Sequence, residues 1–168
     1  MAAITRGLEG QQMAELGLMA EADAVAFTDA DRAVADAQVM RRVLSYASAF
    51  NLLICHYPEE PALARNGVMN SGEIAMRLGL PGIPTQAETI MLERDLRLVE
   101  MTGGRYHAAC LSTADAIEAM ARGKARGLPV SAAAAVHSFA MNEIAVGQYR
   151  TFAKTAPPLR AEDDRLAV

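Results

Sequence analysis

A chain of 168 residues can bury a real core, and a hydrophobic fraction of 52% excludes a disordered polypeptide. Sixteen Lys and Arg against twenty Asp and Glu leave a net charge of −4, which argues against nucleic acid because phosphate binding needs a basic face. No apolar run approaches the roughly 18 residues of a membrane span. "MAAITRGLEG" has no long apolar segment after its positive residue, so no signal peptide is expected. Two cysteines, Cys55 and Cys110, with no CxxC spacing, point to a reducing and cytoplasmic setting rather than a disulfide framework.

Short β-like runs alternate with longer helical patterns along the chain. Met1–Thr5 reads as a short apolar strand, followed by a helical pattern with Met13, Leu16, Leu18 and Met19 near one face. "AVAFT" (Ala24–Thr28) is a buried strand ending in the turn-like "DAD". "DAQVMRRVLSYASAF" (Asp36–Phe50) is a helix with Asp36 as N-cap and Val39, Val43, Leu44 and Ala47 at helical spacing. "LLICH" is the next strand. Short helices are predicted near "PALARNG" and "SGEIAMRLG", then a long one through "AETIMLERDLRLVEMTGG", closed by Gly103-Gly104. "RYHAACLS" is a strand, "TADAIEAMARGKARG" a helix ending at Gly127, and "LPVSAAAAVH" a strand. The tail is irregular around Pro157-Pro158 and then opens a further helix.

Repeated β-α units with near-continuously apolar strands predict a parallel sheet covered by helices. A doubly wound open sheet and a (β/α) barrel both fit. No G-x-G-x-x-G follows a strand, which removes the dinucleotide-binding fingerprint. About five strands are visible, whereas a closed barrel needs eight over roughly 250 residues.

The runs "ADAVAFTDADRAVADAQVMRRVLSYASAF", "PEEPALARNGVMNSGEIAMRLGLPGIPTQAE", "ERDLRLVEMTGGRYHAACLSTADAIEAMARGKARGLPV" and "YRTFAKTAPPLRAEDDR" resemble, in this order, the motifs of dihydroorotases of the cyclic amidohydrolase superfamily. The resemblance covers essentially the whole chain. It implies α/β architecture as part of a (β/α)8 TIM-type barrel, about five parallel strands with outer helices, with residues 1–168 forming a single incomplete domain. It also implies zinc in the family, held at the carboxyl ends of strands, and a place in pyrimidine biosynthesis.

Against the family pattern, this chain has no His-x-His pair and no Asp-His-Ala-Pro motif. Tyr57 stands where the resemblance places a ligand histidine, and Cys110 where it places the histidine of His-Val-Ser-Thr. Ala156 replaces the substrate-binding Asn of Asn-Pro-Pro-Leu-Arg. The Asp doublet survives in part as Asp29, with Ala30 and Asp31. Asp29, Tyr57 and Cys110 are therefore expected to be degenerate metal-site positions, and Ala156 and His137 degenerate substrate-site positions. Catalytic zinc needs about three protein ligands and a bound water. No cofactor is expected for this chain.

His56 and His107 are out of phase with Tyr57 and Cys110 on extended strands and read as structural. His137 reads as a strand-end residue, where barrel sites are built. Cys110 as a nucleophile would need a basic neighbour, and none can be named. Glu59 and Glu60 read as solvent-facing or capping, and "ERDLR" as a solvated helix face. The expected function is a non-catalytic dihydroorotase-like protein with a structural or assembly role, partnered by a second copy or by an aspartate transcarbamoylase-like protein. The alternative is a piece of an active zinc dihydroorotase that hydrolyses the cyclic amide of dihydroorotate.

Overall fold

The computed structural model describes all 168 residues. Its centre is a wall of five parallel extended segments whose spatial order is their chain order. Ala2 bridges Phe27, and Phe27 bridges Ile54 in β1 (Leu53–His56). β1 pairs with the second regular strand in that wall, Arg105–Ala108, which pairs in turn with Val130–Ala132. Between them lies a separate two-stranded parallel ladder, β2 (Met69–Asn70) with β3 (Gly82–Ile83), so the two wall strands are β4 and β5. The parallel segments match the sequence-based architecture of a partial barrel. The strand "LPVSAAAAVH" is shorter than expected, ending at Ala132.

Helices cover one face of the wall. In chain order they are α1 (Leu16–Glu21), α2 (Ala37–Ala49), α3 (Pro61–Ala64), α4 (Glu73–Leu78), α5 (Gln86–Thr102), α6 (Ala114–Ala125), α7 (Val136–Ala140) and α8 (Glu162–Ala167). α2 starts where Asp36 accepts from the N–H groups of Gln38 and Val39 at 2.7 and 2.9 Å, satisfying two orphan donors of the first turn. Val39, Met40, Val43, Leu44 and Ala47 form its buried stripe. α5 ends at Gly103, whose φ of +69° is the left-handed C-cap conformation. The long helical pattern expected around Met13 contracts to α1, because residues 6–14 form a 3-10 turn and a backbone pairing instead. There Thr5 bridges Met13 antiparallel, covering part of the Met1–Thr5 strand.

Side-chain parity places Phe27, Ile54, His56, Tyr106 and Ala108 on the helix side, all buried. Cys55, His107 and Ser131 alternate with them on the other face, where His107 is half-buried and Ser131 exposed. One cluster of twenty buried hydrophobic residues lies between wall and helices. A smaller one, Met69, Ala75 and Val146, sits beside the β2–β3 ladder.

Candidate functional site

The carboxyl ends of the strands are joined by a buried polar ring. α5 presents one face to the wall, and two carboxylates, Glu88 and Asp95, occupy that face among Ala87, Met91, Leu92, Leu96 and Val99. Glu88 lies in the first turn of α5, beside the loop that follows β4. Its Oε1 accepts from the N–H groups of Ser112 and Thr113 at 2.9 and 3.1 Å and from the Thr113 hydroxyl at 3.0 Å. Its Oε2 accepts from the Ser112 hydroxyl at 2.5 Å.

Arg160 reaches this ring from the tail. It is 2% exposed and lies 3.8 Å from Glu88. Its Nε donates to Ser112 Oγ at 3.1 Å, and Nη1 donates to Asn70 Oδ1 at 3.0 Å and to the Ile83 carbonyl at 2.9 Å. Asn70 donates onward to Glu143 at 2.7 Å. One guanidinium thus ties together the ends of β2 and β3 and the loop after β4. Burial lowers the Arg160 pKa, while Glu88 opposes that shift.

The residues singled out from sequence fall around this ring in different ways. Tyr57 follows β1 and is buried, with its hydroxyl 3.4 Å from Glu59. Burial pushes its phenol well above the ordinary range, with Glu59 adding to the rise. Cys110 follows β4 with φ +56°, a left-handed conformation costly for an L side chain. Burial and then the Glu88 carboxylate raise its thiol pKa, so it is held as the thiol rather than the nucleophilic thiolate.

Asp29 is 2% exposed, and its two oxygens serve the backbone. Oδ1 accepts from the N–H groups of Ile4 and Thr5 at 2.8 and 3.0 Å, and Oδ2 accepts from the Thr5 hydroxyl. His137 does not end a strand. It lies in the first turn of α7, with Nε2 3.2 Å from the Pro157 carbonyl. The ladder with β4 ends at Ala132, the Ala133 backbone still bonds to Ala108 and Leu111, and the chain turns into α7 at Val136. Ala156 is exposed, next to the cis Ala156-Pro157 bond.

A second buried cluster lies under the helices, behind β1. His56 Nε2 accepts from the Val34 N–H at 2.8 Å, which places the ring proton on Nδ1, 2.6 Å from Asp95 Oδ2. Tyr106 donates to the same oxygen at 2.8 Å, and Arg94 holds Oδ1 at 2.6 Å. Arg94 also donates to the carbonyls of Val34 and Ala35 at 2.9 and 2.6 Å. Burial acts to raise the Asp95 pKa, but the neighbouring His56 and Arg94 outweigh it and hold the carboxyl below its ordinary value. The cluster therefore clamps the segment after Asp29 through both its N–H and its carbonyls.

That segment walls an open polar cavity of about 590 Å³, lined by Glu9, Asp31, Arg32 and Glu59 with Leu8 and Pro61. The cavity lies between the loops that follow three neighbouring strands, the end of a parallel wall where ligands bind. Glu59 is half-buried, and its pKa is raised by burial and, less, by Glu88.

The donors around the ring do not fit zinc. No three His, Cys, Asp or Glu side chains converge on one point. Asp29 is committed to backbone donors, the Cys110 thiol is kept protonated, and a neutral phenol is a poor ligand. Sequence reading missed Glu88, Asp95 and Arg160. For the first two a signal was present, since both carboxylates fall on the apolar stripe of α5.

Parallel strands in chain order, outer helices and a polar site at the strand ends define a segment of a (β/α) barrel. Solved structures agree. An L-hydantoinase (dihydropyrimidinase) from Arthrobacter aurescens matches 99% of this chain and 38% of its own, with a TM-score of 0.77 and 18% identity. A D-hydantoinase from Bacillus sp. AR9 matches 98% and 38%, with a TM-score of 0.74 and 16% identity. The family described as dihydro-orotase-like matches residues 1–116.

A dihydroorotase of Desulforapulum autotrophicum is 46% identical over 166 residues, 99% of this chain and 39% of that protein. One from Desulfotalea psychrophila is 44% identical over the same lengths. The chain belongs to the dihydroorotase family, and it spans about two fifths of the curated relatives it matches.

Proposed function

We propose that this dihydroorotase-like chain does not hydrolyse cyclic amides by itself and serves a structural or assembly role in pyrimidine biosynthesis. The observation that carries this reading is the ring at the strand ends. Its centre is organised by the Arg160–Glu88 pair and its hydrogen bonds rather than by convergent metal ligands. Tyr57 and Cys110, at the degenerate metal-site positions, are both held neutral by burial. Hydrolysis of a cyclic amide requires an activated water or nucleophile, and neither a lowered thiol pKa nor a metal-bound water is available from these groups.

The partner is a second copy of the chain or an aspartate transcarbamoylase-like protein. The half-open inner face of the wall and the β5 edge support such a contact, since an unpaired edge recruits other chains. The setting is cytoplasmic, which accords with the two free cysteines and with the lack of any helix long and apolar enough to cross a membrane.

A second reading is favoured by the 46% identity to a dihydroorotase: the chain is one part of a zinc enzyme whose remaining strands complete the site. Elemental analysis after dialysis, paired with a dihydroorotate assay, tests the first reading on the chain alone; repeating both after adding a polypeptide that carries the family's remaining strands tests the second, which expects zinc uptake and turnover only then. The first reading expects no stoichiometric zinc and no turnover above a metal-only control. One tightly held zinc per chain, or measurable turnover, overturns it.

A further inference from the structure

The β2–β3 ladder is built apart from the wall. Its strands pair only with each other, and α4 and the 3-10 turns Glu143–Val146 and Thr151–Ala153 pack against them. Met69, Ala75 and Val146 form a core of their own, flanked by Ile74, Leu80 and Ala153, which does not merge with the twenty residues between wall and helices. The two stretches of chain involved, residues 67–83 and 143–154, are also tied across to each other. Asn70 donates to Glu143 at 2.7 Å, and the Tyr149 hydroxyl donates to the Leu78 carbonyl at 2.8 Å.

The ties to the rest of the molecule are far fewer. Apart from bonds to the adjoining residues Ala64 and Asn142, every hydrogen bond leaving this unit goes to one residue, Arg160. Its Nη1 donates to Asn70 Oδ1 and to the Ile83 carbonyl, and its own carbonyl accepts from the Glu143 N–H at 2.8 Å. On its other side Arg160 is anchored by Ser112, in the loop after β4, and by Glu88 of α5.

Segments with few buried apolar contacts open at free energies below that of global unfolding. Here the small core and the cross-ties bind the two stretches to each other, while a single side chain and its carbonyl bind them to the wall. We infer that residues 67–83 and 143–154 form a lid at the strand-end ring, latched by Arg160 and opening as one unit. Opening leaves Arg160 paired with Glu88 and Ser112 but strips Nη1 of both its acceptors. The closed lid therefore masks a guanidinium donor at the carboxyl ends of the strands.

Hydrogen exchange of the full chain, read amide by amide by NMR, tests the lid. The Val68, Ser71 and Leu80 amides, bonded within the first stretch, should have protection factors at least about 100-fold below those of Cys55 and Ala109, which bond across the wall to Phe27 and His56. Asn70→Ala removes one latch contact, and Arg160→Lys keeps a cation beside Glu88 but loses the fork. Each should speed those three amides about tenfold, and the Arg150 amide of the second stretch by the same factor, with Cys55 and Ala109 moving less. Three outcomes overturn the inference: lid and wall amides sharing one protection factor in the native chain, an Arg150 amide that does not follow the first stretch, or lid amides moved no further than wall amides by both substitutions.

Discussion

Asp95 shows what a single buried charge does in this molecule. It is fully buried yet ionised, because His56, Tyr106 and Arg94 each donate to it. Asp95→Ala would leave those donors without an acceptor, and a loss of about 3 kcal/mol is expected in denaturant unfolding. Its folded pKa lies below the ordinary value, so its contribution is present above the unfolded-state pKa of about 3.9 and disappears as pH falls through the folded value. Stability should therefore fall more steeply on acidification in the native chain than in Asp95→Asn, as measured by urea midpoints across the acid range. At the strand ends, Tyr57→His combined with Cys110→His should not confer dihydroorotate hydrolysis. A histidine at 110 inherits the φ of +56°, and Asp29 remains tied to Ile4 and Thr5. Turnover by that double variant in a dihydroorotate assay would show the expectation wrong.

At the scale of elements, the caps and close approaches set the boundaries. Asp36→Ala removes the acceptor for two N–H groups of α2 and should cost about 1 kcal/mol by thermal unfolding. Gly82→Ala should cost more. A Cβ there would lie 2.4 Å from Ser71 Cα, so the β2–β3 ladder would have to part. The long helices were legible in the sequence because α2, α5 and α6 carry apolar stripes at helical spacing, in α5 interrupted by Glu88 and Asp95, and recognisable ends at Asp36, Gly103 and Gly127. The wall strands were legible in place but not in length, since runs of alanine after Ala132 carry no periodicity. The β2–β3 ladder was not legible at all: two residues per strand are too short to show alternation, and their pairing depends on Gly82 meeting Ser71. In the site, Tyr57 and Cys110 could be located by motif. The Arg160–Asn70 contact spans ninety positions and leaves no local trace.

For the whole molecule, the open inner face sets the expectation for assembly. β5 pairs on one side only, with β4, while the opposite end of the wall is partly covered where Thr5 meets Met13. A species heavier than the 17.9 kDa monomer is expected in sedimentation equilibrium at micromolar concentration. A compact monomer would show that the half-covered face tolerates water. Arg160 also bears on the order in which the chain acquires its shape. The helix stripes and the neighbouring wall strands can associate as soon as each has been synthesised, but Asn70, Ile83 and Ser112 wait for a guanidinium that follows them by 90, 77 and 48 positions. Until it arrives, Glu88 is a carboxylate buried without its cation, and the strand ends are held by hydroxyl and amide donors alone. Closing a loop of that span is entropically slow relative to local contacts. The ring at the strand ends therefore becomes rigid later than the helix stripes and wall strands, and a chain cleaved before Arg160 leaves it open to a protease.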